Sequence, residues 1–173
     1  LMENEDGTSP REKYRIRIYD NSRDRISLEC NRKENDKVNK KSSLLTMGQF
    51  EYLAYGYRTE EAEELPDLAK RLMVLKKCSG MQPKVVVSYE RTPYVCKNGN
   101  VRVTFDRHIA SSSNVRDFFS VGAGRRQVLP AGWQLLEVKY DEYLPDHIYR
   151  ALSLANMQRV TFSKYYLCRR YHL

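Results

Sequence analysis

The chain has 173 residues, 41% of them hydrophobic, with a mean hydropathy of −0.69, and reads as one soluble domain burying about 70% of its unfolded surface. No apolar run approaches the roughly 18 residues of a membrane span, no signal-peptide core is visible, and the four cysteines (Cys30, Cys78, Cys96, Cys168) form no CxxC pair, which leaves reduced thiols in a cytosolic protein as the plain expectation. Lysine and arginine total 30 against 22 acidic residues, a net charge of +8 that points to a polyanionic partner.

Leu1 opens the chain in place of an initiator Met, so an upstream segment is expected. Residues 1–10 are polar, carry Gly7 and Pro10, and read as a lead-in loop. In the next stretch, KYRIRIYD, Tyr14, Ile16 and Ile18 alternate with Lys13, Arg15, Arg17 and Tyr19. A period of two predicts a half-buried strand, Glu12–Tyr19, with three cations on one face within about 14 Å at roughly 3.4 Å per residue. A second strand, Arg25–Lys33, sets Ile26, Leu28 and Cys30 against Arg25, Glu29 and Lys33. The turn signal Asn35-Asp36 and the lysine-rich KVNKKSS then predict a third strand within 34–43. Thr46 is placed to cap a helix over Met47–Tyr55 that presents Met47, Phe50 and Leu53 or Ala54. A second helical region, Glu60–Lys77, is acidic at its start and basic at its end, with Pro66 dividing it or starting a helix.

Strands at Lys84–Arg91 and Asn100–His108 bracket the Asn98-Gly99 turn signal. In the latter, Val101, Val103 and Phe105 alternate with Arg102, Thr104 and Asp106. Ser111–Gly132 reads as a loop with short elements, and Trp133–Asp141 as a sixth strand with Leu136 and Val138 opposite Glu137 and Lys139. Helices are expected from Pro145 or Asp146 to Ser153 and over Phe162–Tyr171. Four strands thus carry one apolar and one mostly basic face. An open sheet would look this way, and so would a closed barrel with a charged lumen and helices covering its apolar exterior.

No Walker A, GxGxxG, HExxH or nucleophile elbow is present, and His108, His147 and His172 have no metal-ligand spacing and read as surface residues. The basic strand faces remain. Arg15, Arg17, Arg91 and Arg102 suit polyphosphate, since each flat guanidinium holds two oxygens. Glu137 stands among cations on its face. It either pairs with Lys139 or an arginine, or holds a divalent metal together with substrate phosphates.

The order of REKYRIRIY, LE with Lys33 and NKKS, YERTPYV, GNVRVTFD, LLEVKYDEYLP and FSKYYLCRRY resembles the vacuolar transporter chaperone (VTC) domain family of polyphosphate polymerases, within the triphosphate tunnel metalloenzyme superfamily. The resemblance implies an α+β fold: an antiparallel β-barrel, the triphosphate tunnel, of eight strands with helices packed outside. Six strands are expected here, the two N-terminal ones lying upstream. It also implies transfer of the terminal phosphate of ATP onto inorganic polyphosphate beside a divalent metal, Mn or Mg. By that resemblance Arg15, Arg17, Arg91, Arg102 and Lys164 are catalytic and substrate-binding, Lys33, Lys40 and Lys139 join the substrate-binding set, and Glu137 is the metal ligand. Lys40 has Lys41 beside it as the other choice. The family's usual lysine two places after Leu28-Glu29 is Asn31 here, with Lys33 the nearest cation to take its charge. Arg91 shares a face with Val85 and Val87 unless a bulge intervenes. A non-catalytic binding tunnel, a single-stranded nucleic-acid module and another hydrolase of the superfamily are the alternatives, the second weakened by the few aromatics on the cationic faces.

Overall fold

The computed structural model describes residues 11–35, 37–120, 124–153 and 160–172, so the lead-in at 1–10 and Asp36 of the first turn lie outside the described residues. The fold is mixed α+β, in two compact units: Leu1–Pro83 with Phe119–Val121, and Lys84–Phe118 with Gly122–Leu173. Among the described residues the strands form two antiparallel sheets, accompanied by four α-helices, and no closed barrel is formed. None of these helices is long and apolar enough to cross a membrane.

The first unit is a three-stranded meander of β1 (Arg11–Arg17), β2 (Ile26–Glu34) and β3 (Lys37–Leu45). Its register fixes the faces. Tyr14 pairs with Cys30, which pairs in turn with Lys41, and Ile16 pairs with Leu28, which pairs in turn with Ser43, so Ile16, Leu28, Cys30, Ile26 and Leu45 share one side. That side is buried, and α2 (Asp67–Ser79) packs on it through Leu68, Ala69 and Leu72. Pro66 sits at the N-cap of α2, as a residue with fixed φ and no N–H can, and the preceding acidic stretch makes only a 3₁₀ turn at Glu60–Ala62. Lys76 and Lys77 close the helix and Gly80 (φ 62°) ends it, both favoured by the orphan carbonyls there.

Thr46 does cap α1 (Met47–Tyr55): its Oγ1 accepts from Gln49 N at 3.2 Å, and Gln49 Oε1 accepts from Thr46 N at 3.1 Å. The helix buries Gln49, Phe50 and Leu53. Thr46→Ala should therefore cost about 1 kcal/mol in chemical denaturation; a change within error would mean that Gln49 alone satisfies this end.

The second unit is built on β5 (Val101–Ser112), which pairs with β4 (Val86–Cys96) on one side and with β6 (Arg126–Gln127) and β7 (Leu135–Lys139) on the other. Strand β4 runs five residues past the expected end at Arg91, and β5 runs four past His108 into the stretch expected as loop. The β4 extension pairs with Val101–Phe105 of β5, and the β5 extension pairs with Val86–Ser88 of β4 and with β6, so the ladder overrides weak local patterning. The bulge raised by the parity of Arg91 is present, but on β5. Ser88 pairs with Ala110 and Glu90 with Arg107, so His108 and Ile109 together oppose Tyr89, with His108 at φ 51°. Alternation along β4 is unbroken, and Arg91 does share its side with Val87 and Tyr89.

The short helices α3 (Asp146–Leu152) and α4 (Lys164–Arg170) complete this unit. Cys168 of α4 packs with Ile109 and Val128, surrounded by Val85, Val87, Tyr89, Leu135, Phe162 and Leu167. Here the expected arrangement of helices is corrected: α4 covers the side of the sheet that carries Arg91, because beyond the bulge that side turns apolar. His172, expected at the surface, is half-buried, its Nε2 3.0 Å from Oγ of the buried Ser111. His108 and His147 are exposed.

Candidate functional site

On the second sheet the register brings a charged set to one side. Arg91 pairs with Asp106, Thr104 with Glu137, and Arg102 with Lys139, and directly opposed residues point the same way. Arg102, Glu137 and Lys139 thus share a face, as their parity predicts. Lys164 reaches the same face from the first turn of α4, whose N-cap Ser163 accepts from Tyr166 N.

Asp106 is the hub, and sequence reasoning gave it no role beyond its place in the alternation. It is 0% exposed. Arg91 donates to it side-on, Nε to Oδ1 at 2.7 Å and Nη2 to Oδ2 at 2.8 Å, and Lys164 Nζ lies 2.6 Å from Oδ2. Burial pushes the Asp106 carboxyl up, but the hydrogen bonds from Arg91 and Lys164 outweigh it and hold it below the ordinary value. The same hydrogen bonds, which Asp106 accepts, outweigh burial and raise the Arg91 guanidinium above its usual value. Tyr89, also unassigned from sequence, presents its ring to both cations, 5.2 Å from the Arg91 Cζ and 5.1 Å from the Lys164 Nζ. The signal for Asp106 was a carboxylate in phase with Arg102 on an otherwise basic face.

Glu137 stands at the open end of this set, its side chain 36% exposed. Its Oε1 lies 3.1 Å from Lys139 Nζ and its Oε2 3.5 Å from Arg91 Nη2. Arg102 is exposed and Lys139 largely so. Among the described residues no cluster of three or more His, Cys, Asp or Glu could hold a metal by itself. The oxygens of Asp106 are taken by Arg91 and Lys164 and are buried, whereas Glu137 is partly exposed and its ion-pair contacts are longer. One carboxylate suffices for a hard cation that takes its other ligands from phosphate and water.

The first sheet holds the remaining predicted residues. Arg11, Lys13, Arg15 and Arg17 on β1 lie on the side of Ser27, Glu29, Asn31 and Lys33 on β2. From β3 that side receives Lys40, opposite Asn31, whereas Lys41 lies opposite Cys30 on the apolar side. Glu29 is the counter-ion: Arg15 Nε donates to its Oε2 at 2.6 Å, and Arg17 Nη1 is 3.6 Å from its Oε1. Arg17 also donates to Tyr19 Oη at 3.1 Å. The neutral Asn31 is flanked directly by Lys13 and Lys40, with Lys33 two places along. Lys13 is half-buried, and burial, then the Arg11 charge, pushes its ammonium below the ordinary lysine value. The set is strongly basic, with Glu29 the one acid on this side of β1 and β2, and so suits an oligo-anion.

The VTC domain family model matches residues 1–172, essentially the whole chain. No curated protein and no solved structure matches it.

Proposed function

Because the chain belongs to the VTC domain family, we propose that it extends inorganic polyphosphate, taking the terminal phosphate of ATP and releasing ADP. The observation that carries this reading is the charged face of the second sheet, where Arg91, Arg102, Lys139 and Glu137 meet Lys164 from a separate helix. Phosphoryl transfer asks a protein mainly for placed cations and charge stabilisation, and this face supplies them. Arg91 spends Nε and Nη2 on Asp106, which leaves the two Nη1 hydrogens for a phosphate. Arg102 and Lys139, opposite each other, would hold the next phosphate group along. A divalent cation, Mn or Mg, would be held by Glu137 and the substrate's oxygens, and would neutralise charge on the transferring phosphoryl group.

Arg15, Arg17, Lys33 and Lys40 are the second phosphate-binding set in this proposal, which includes the tunnel that the resemblance implies. We take the compartment to be the cytoplasm, a choice supported by four free thiols. The direct test is to incubate the full-length protein with ATP and Mn²⁺ or Mg²⁺ and look for long-chain phosphate. A second reading, binding without turnover, is favoured by the two ion pairs that already occupy Glu137. Tripolyphosphate binding with no product under either metal would select it.

Binding itself should depend on salt and on the arginines. Arg102→Ala should weaken binding of inorganic tripolyphosphate about tenfold, the scale of one hydrogen bond to a charged group. Raising the salt should weaken wild-type binding as well, because much of the attraction is between exposed charges. Affinity that is flat in salt, or indifferent to Arg15→Ala combined with Arg102→Ala, would remove the phosphate-binding reading.

A further inference from the structure

Asp106 is the one charged residue among the described buried side chains. A carboxylate at 0% exposure is a costly choice in a sheet, even with Arg91 opposite it on one side and Leu135 on the other. Apolar residues of similar volume often stabilise a fold at least as well as a buried ion network does. What an apolar residue cannot do is hold two cations from different elements at one point. Arg91 comes from β4, Lys164 from α4, and both lie over the ring of Tyr89. Without an anion between them they would repel each other. The long side chains, one-third and 18% exposed, would then spread over many rotamers.

The side-on geometry adds a direction. A guanidinium bound through Nε and Nη2 has its remaining edge, Nη1, fixed in space. Asp106 itself has no accessible oxygen for a substrate or an ion, since both are hydrogen-bonded and buried. We propose that Asp106 is a positioning residue: it locks the Arg91 fork and the Lys164 ammonium into one rigid phosphate-binding pair, without touching the phosphate. This inference rests on the reading of Arg91 and Lys164 as phosphate-binding residues.

A double-mutant cycle on the full-length protein tests it, with inorganic tripolyphosphate as the probe and calorimetry as the readout. In the wild-type background Arg91→Ala should weaken binding about tenfold. In the Asp106→Asn background, where the fork is no longer held, the same change should cost less than about threefold. A merely structural role for Asp106 lowers the melting temperature and leaves the two penalties equal, and equal penalties overturn the proposal. If Asp106→Asn does not fold, Asp106→Glu takes its place in the cycle. It keeps the charge but displaces the fork by a methylene, and the Arg91→Ala penalty should shrink again. Wild-type protein that binds no tripolyphosphate overturns the phosphate-binding reading and this inference together, whereas binding with additive penalties overturns this inference alone.

Discussion

Glu137→Gln should abolish polyphosphate synthesis while tripolyphosphate binds as tightly as before, or more tightly. On the proposed function, the cations around Glu137 would attract phosphate without its help, and its charge opposes theirs. Lys139 at 3.1 Å and Arg91 at 3.5 Å are partly neutralised by it, and the amide would release both to the substrate. What the amide cannot replace is a hard, anionic oxygen for a divalent cation. The loss should therefore fall on the rate, by at least about a hundredfold, the scale of losing one transition-state electrostatic partner. Stability should hardly move, because half-exposed pairs contribute about 0–1 kcal/mol. Steady-state kinetics, calorimetry with tripolyphosphate and a thermal melt separate the cases. Normal turnover with a lowered melting temperature would make Glu137 a structural ion-pair partner and nothing more.

Phe50→Ala should be among the most damaging single truncations in the first unit, at about 3–5 kcal/mol. The ring is 2% exposed, on the face of α1 that also buries Leu53. It meets Tyr55 edge-on at 5.5 Å and Phe119, from a distant part of the sequence, at 5.1 Å. Removing it loses both aromatic contacts as well as the transfer of a large apolar group, and leaves a cavity between a helix and a remote segment. Urea denaturation reads the effect directly. A cost below about 1 kcal/mol would mean that Tyr55 and Phe119 close over the space, so that the ring fills a site able to collapse.

Strict alternation made the strands and their faces readable from sequence, because a period of two admits no other regular structure. It put Arg15 with Arg17, and Arg102 with Glu137 and Lys139, on common faces before any register was known. The choice between Lys40 and Lys41 could not be made that way: the lysine-rich β3 has little apolar alternation, and only pairing with β2 puts Lys40 beside Asn31. Arg91 shows a different limit. Its place on an apolar parity looked like a conflict to be relieved by a bulge on its own strand. The extra residue lies on β5 instead, where the run from Arg107 to Ala110 carries no glycine to mark it. Asp106 was visible as a letter but not as a hub, since its two partners come from β4 and α4 and share no local spacing with it.

The bulge at His108 lets one strand serve two trades on one side. Before it, Arg102, Thr104 and Asp106 face the charged set; after it, Ile109 and Ser111 face the same way and anchor α4 through Cys168 and His172. With strict alternation, His108 and Ala110 would occupy those places and Ile109 would turn away. The side chain at 108 is exposed and pairs with the exposed Glu90, and Gly or Asn would accept its φ of 51° at least as readily. Chemistry at this position is therefore free to drift, while the residue count between Asp106 and Ile109 is not. Position 108 acts as a spacer, and an in-frame loss of one codon there would do what few substitutions could, turning the anchor of the last helix out of its socket.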